Sequence, residues 1–65
     1  MYQERDVVRG SISRDVYLVT DNNAGWGYTC IVLASRKPHR VGQTLRLTPG
    51  FKGLLLGRNF QWGRR

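Results

Sequence analysis

One cysteine, Cys30, and one histidine, His39, are all this 65-residue chain has of either type. A lone cysteine excludes an internal disulfide, and one cysteine with one histidine is too few for a structural zinc site. Apolar runs are short. None approaches the roughly 20 residues that a membrane-crossing helix needs. The start, Met-Tyr-Gln-Glu-Arg-Asp, has neither the basic residues nor the apolar stretch of a secretion signal. An unpaired thiol and no export signal make a reducing cytoplasm the expected compartment. No repeat and no low-complexity tract interrupts the sequence.

Acidic residues are scarcest where they matter most. The chain has 11 basic and 4 acidic residues, a net charge of +7, and a sequence pI of about 10.9. Glu4, Asp6, Asp15 and Asp21 all fall within the first third. From Asn22 onward there is no carboxylate, while Arg36, Lys37, Arg40, Arg46, Lys52, Arg58, Arg64 and Arg65 give +8. Nine of the eleven cations are arginine, whose planar fork pairs with phosphate and stacks on bases. Charge of one sign at this density creates a strong local potential and points to a polyanionic partner. The acids lack the paired spacing of a phosphoryl-transfer or metal site, and a cleft for catalysis would consume core that so short a chain can barely spare. A binding protein without cofactor or metal is expected, not an enzyme.

The apolar pattern has period 2 and no convincing period of 3.6. Val8, Gly10 and Ile12 alternate with polar residues, predicting a first strand over about Asp6–Ser13. Val16–Thr20 is rich in β-branched and aromatic residues and predicts a second. Asp21-Asn22-Asn23-Ala24-Gly25 is a turn cluster. Gly27–Ala34 and Val41–Thr48 predict strands three and four, joined by the basic connection Ser35–Arg40. A last, glycine-kinked strand is expected over Lys52–Trp62. Five short strands with glycine-bearing turns predict one all-β domain over 1–62, a small five-stranded barrel, with a basic tail over 63–65. Strands two and three are apolar on both faces, so an interface is expected through Tyr17, Val19, Ile31 and Leu33. It would serve a homodimer or another protein partner, unless the loops or the C-terminal segment cover the second face.

Three segments in order carry a resemblance. Val7-Val8-Arg9-Gly10-Ser11-Ile12, Val16 through Gly25, and Val41-Gly42-Gln43-Thr44-Leu45-Arg46-Leu47 together resemble the OB-fold, a five-stranded nucleic-acid-binding barrel. The Ser35–Arg40 connection is too short for the helix many OB-folds carry there, and an SH3-like barrel is the alternative. The resemblance implies binding across the face of strands two and three.

Single-stranded DNA or RNA requires cations along the phosphates and aromatic faces for the bases. The candidate residues are Arg36, Lys37, Arg40, Arg46 and Arg58 for phosphate, with Tyr17 and Trp26 for stacking. Tyr28 is expected to pair with Tyr17 across strands. Phe60 and Trp62 are expected to close the barrel, and Cys30 to fill core. Low sequence specificity and strong salt dependence follow from a phosphate-dominated contact. The rival reading is a protein-interaction module, such as a small phage- or plasmid-encoded adaptor or inhibitor, that docks an acidic partner. A protein ordered by an RNA scaffold is a third.

Overall fold

The computed structural model describes residues 2–60, the side chain of Ala24 excepted. Trp62 and the basic tail lie outside the described residues. Five antiparallel strands form one sheet: β1 (Val7–Gly10), β2 (Val16–Asn22), β3 (Tyr28–Ala34), β4 (Thr44–Leu47) and β5 (Gly53–Gly57). Single 3₁₀ turns occupy Ala24–Trp26 and Pro38–Arg40. The expected all-β architecture is present, with strand positions close to those read from the alternation.

The strand order is β4-β3-β2-β1-β5. Four consecutive strands meander and the fifth returns to pair with the first. In an OB-fold the first strand lies between the second and the fourth. Here it lies between β2 and β5, which is the order of the SH3-like alternative. No ladder joins β4 to β5 among the described residues, so the sheet is not closed into a barrel.

The register decides which apolar set faces inward. Tyr17 is opposite Val32, Val19 opposite Cys30, and Val8 opposite Tyr17. Because side chains alternate across a strand, these residues share one face, and with Tyr28 and Leu47 they form the buried core. A single sheet has no second sheet to cover it. Tyr2 and Phe51, both outside the strands, supply the missing layer. The Tyr2 ring meets Tyr28 edge-on at 5.4 Å and Phe51 at 6.1 Å, and Phe51 stands perpendicular to Tyr17 at 6.1 Å. The Tyr2 hydroxyl donates to the Gly53 carbonyl (2.8 Å) and accepts from the Gly53 amide (2.9 Å), pinning this cover to the start of β5.

Each of the two buried acids anchors a chain segment. Asp6 accepts a hydrogen bond from the Gln3 amide at 2.9 Å and pairs with Arg58 at 3.3 Å. Asp15, just ahead of β2, pairs with Arg40 at 3.5 Å. Gly27, at φ 109°, closes the β2–β3 turn where a Cβ would collide with the Leu47 carbonyl.

Three expectations about strand ends are corrected. β5 spans Gly53–Gly57 and stops before Arg58 instead of running on from Lys52 toward Trp62. β1 stops at Gly10, because the Gly10 amide donates to the Asp15 carbonyl (2.9 Å) and the Arg14 amide to the Gly10 carbonyl (3.2 Å). Ile12 therefore rides on a tight loop instead of continuing the strand. Val41 belongs to the turn before β4 and is exposed, since the Pro38–Arg40 turn and Gly42 at φ 90° precede the ladder.

Candidate nucleic-acid interface

The two faces of the sheet divide the residues that the sequence groups together. Tyr17, 5% exposed, and Val19, fully buried, lie in the core. Ile31 and Leu33 lie half-buried on the opposite, outer face with Leu18, whose cross-strand partner is Ile31. The four-residue interface is corrected on this point: one surface cannot present both pairs, because the period-2 alternation separates them. Tyr17 is likewise corrected as a stacking platform. Its ring packs on Phe51 and its hydroxyl pairs with Ser13 at 3.1 Å. Tyr28 is opposite Asn22 and Leu47, not Tyr17.

Trp26 is 77% exposed in the turn between β2 and β3, a ring presented to solvent by a backbone of Gly25 and Gly27. Phe60 is partly exposed; its amide donates to the Arg5 carbonyl at 3.0 Å, and it borders a cleft of about 240 Å³ floored by Leu18 and Ile31. Its expected role in closing a barrel gives way to this surface position, since the sheet is open.

Of the cations, Arg58 is engaged by buried Asp6, with its side chain half exposed. Its carboxylate partner offsets part of its charge, as Asp15 does for Arg40, while half of the side chain stays open to solvent. Arg40 is paired to Asp15 but keeps a third of its side chain exposed. Beside it, Arg36 and Lys37 are exposed and have no carboxylate partner among the described residues. These three cations line a cleft of about 290 Å³ together with Ile12, Ser13, Ser35 and Asp15, the buried carboxylate that Arg40 engages. Lys37 donates its amide to the Ser35 hydroxyl oxygen at 3.1 Å, which leaves that hydroxyl's proton for another acceptor.

Arg46 projects from the outer face of β4, opposite Thr29. It stands at the Trp26 end of the sheet. The basic cleft stands at the other end of β3, on the order of 20 Å away at the usual strand rise. The structure thus gathers Arg36, Lys37 and Arg40, and places Trp26 and Arg46 apart from them.

The thiol of Cys30 is fully buried and donates toward the Leu45 carbonyl at 3.7 Å. Burial pushes its pKa up to about 11, away from nucleophilic chemistry. His39 is exposed on the 3₁₀ turn. No helix is long and apolar enough to cross a membrane among the described residues.

Three contributors to the basic end escape a reading by composition. Ser13 and Ser35 are ordinary loop serines until the fold brings their loops together. Ile12 is 95% exposed, although the sequence reads it as the last inward position of the first strand's alternation.

No family model, curated protein or solved structure matches the chain.

Proposed function

We propose that the protein binds single-stranded nucleic acid, using the basic cleft between the loops before β2 and after β3 as its principal phosphate contact. The observation that carries this reading is how the few acids are used. Asp6 and Asp15 are buried and engage Arg58 and Arg40. Beyond those two arginines, Arg5, Arg9, Arg14, Arg36, Lys37, Arg46 and Lys52 are exposed among the described residues, against Glu4 and Asp21 as the exposed acids. A surface of this kind attracts phosphate by counterion release, with little dependence on sequence. Trp26, exposed at the far end of the sheet, supplies a stacking face for a strand that continues past Arg46.

A second reading, docking of an acidic protein, is favoured by a separate observation. Leu54 and Leu56 are about half exposed on the edge strand β5, near the half-buried outer-face residues Val7 and Val16.

Fluorescence anisotropy of labelled single-stranded DNA, single-stranded RNA and duplex DNA at two salt concentrations separates the two. Single-strand binding that weakens with salt and quenches tryptophan emission supports the nucleic-acid reading. In Arg36→Ala/Lys37→Ala the plot of log affinity against log salt should be shallower by about 1.4. An unchanged slope removes the cleft from the interface, and no binding near physiological salt transfers the assignment to a protein partner.

A further inference from the structure

The loop from Ser11 to Asp15 separates two clefts of opposite character. On one side lies the basic cleft with Arg36, Lys37 and Arg40; on the other lies a cleft of about 400 Å³ bordered by Phe51, Gly50 and Lys52. Ile12 and Ser13 line both. We propose that this loop is a ridge straddled by one nucleotide of a bound single strand, with the phosphate in the basic cleft and the base against Ile12 and Phe51. The inference rests on the nucleic-acid reading and adds to it a defined subsite.

The polar side is equipped for a phosphate. Arg36 and Lys37 supply charge, and the Ser35 hydroxyl, whose oxygen already accepts the Lys37 amide, can donate its proton outward. Ser13 Oγ accepts from the Asp15 amide at 3.3 Å and shares a hydrogen bond with the Tyr17 hydroxyl. When Tyr17 donates, the Ser13 proton is free for a phosphate oxygen.

The apolar side is equipped for a base or sugar. The ring of Phe51 is half-buried, held from behind by Tyr2 and Tyr17, so one part of it is fixed and the rest can take a contact. Ile12 is held in water by a loop that is itself tightly determined. Two backbone hydrogen bonds close the loop, Arg14 adopts φ 63°, and Asp15 is tied to Arg40. The aliphatic side chain is therefore exposed before any ligand arrives, and a base laid over it releases its hydration water without a loop rearrangement. A lipid surface fits less well. One isoleucine on a turn lacks the extended apolar face by which interfacial segments hold a bilayer.

The test compares the wild-type chain, Ile12→Ser and Arg36→Ala/Lys37→Ala on a short oligothymidylate carrying one 2-aminopurine, across a salt series. Ile12 is almost wholly exposed, so Ile12→Ser should unfold at the wild-type temperature, which circular dichroism checks. Ile12→Ser should bind roughly three- to tenfold more weakly, as loss of one aliphatic contact implies. Its salt slope should be unchanged and the 2-aminopurine response diminished. The double variant should show the converse, a shallower slope with the response per bound complex retained. Wild-type affinity in Ile12→Ser overturns the ridge while leaving nucleic-acid binding intact. Failure of the wild-type chain to bind overturns the underlying reading and the ridge with it. Binding of the wild-type chain to anionic phosphatidylserine vesicles in preference to the oligonucleotide, lost in Ile12→Ser, overturns the ridge in favour of a membrane.

Discussion

The carboxylate of Asp15, buried ahead of β2, lies 3.5 Å from the Nε of Arg40 at the end of the basic connection between β3 and β4. This ion pair joins the loop that carries the three cations to the start of β2, beside the backbone hydrogen bonds of Arg40, Val41 and Gly42 that shape the loop itself. The two partners are not equivalent, since Arg40 retains solvent and Asp15 does not. Arg40→Ala leaves a buried carboxylate without its cation and should cost about 3 kcal/mol. Asp15→Asn leaves a guanidinium whose Nε is buried but which is one-third exposed overall, and should cost about 1 kcal/mol. Urea denaturation of the two variants checks the order. Equal losses would mean that Asp15 finds another partner.

Gly27 and Gly25 flank the same tryptophan and should respond in opposite ways. At Gly27 a Cβ meets the Leu47 carbonyl and the backbone has φ 109°; at Gly25 a Cβ meets nothing within 4 Å. Gly27→Ala should lose about 2–4 kcal/mol, while Gly25→Ala should stay within about 0.5 kcal/mol of wild type. Thermal unfolding of both variants reads the contrast directly.

The Tyr2 hydroxyl makes both of its hydrogen bonds to Gly53. Tyr2→Phe keeps the ring over the core and removes both, leaving the Gly53 amide and carbonyl to find water at the edge of the sheet. A loss of about 1–2 kcal/mol is expected. Faster amide exchange at Gly53, with the core strands protected as before, would show that the loss is local.

Burial raises the Cys30 pKa from 9.0 to about 11. A thiol that ionises less readily when folded stabilises the native state below its unfolded pKa, and that contribution is lost as pH rises from about 9 to 11. The alkaline loss of stability should therefore be smaller in Cys30→Ala than in the wild-type chain, compared as differences from each protein's value at neutral pH. Modification by a thiol reagent at neutral pH should be slow and should accelerate only with unfolding. Rapid native-state labelling would contradict the burial.

Much of the sheet was legible in the alternation. Val16–Thr20, Tyr28–Ala34 and Thr44–Leu47 fall within or close to the strands expected from β-branched and apolar residues at period 2. Ile12 fits the same alternation but leaves the strand, because hydrogen bonds from Gly10 and Arg14 bend the chain before it. Pattern alone could not reveal that bend, since the bonds join groups whose proximity depends on where β2 begins. The candidate site was half legible. Arg36, Lys37 and Arg40 stand together in sequence and in space, whereas Arg58 is engaged by Asp6, a partner 52 positions away in the chain.

The sequence by itself determined the composition of the surface and the period of the strands: an excess of arginine, few acids, and apolar residues two apart. Those are local properties, set by residue type and by the pleat. Only the tertiary structure decided which face of β2 and β3 became core, because both faces are apolar and the choice falls to whatever covers one of them. Tyr2 and Phe51 cover the face of Tyr17 and Val19. That placement buries one aromatic expected to stack, and Asp6 and Asp15 remove part of the charge expected to be free. What remains exposed at the basic end follows from the long-range pairing of Asp15 with Arg40.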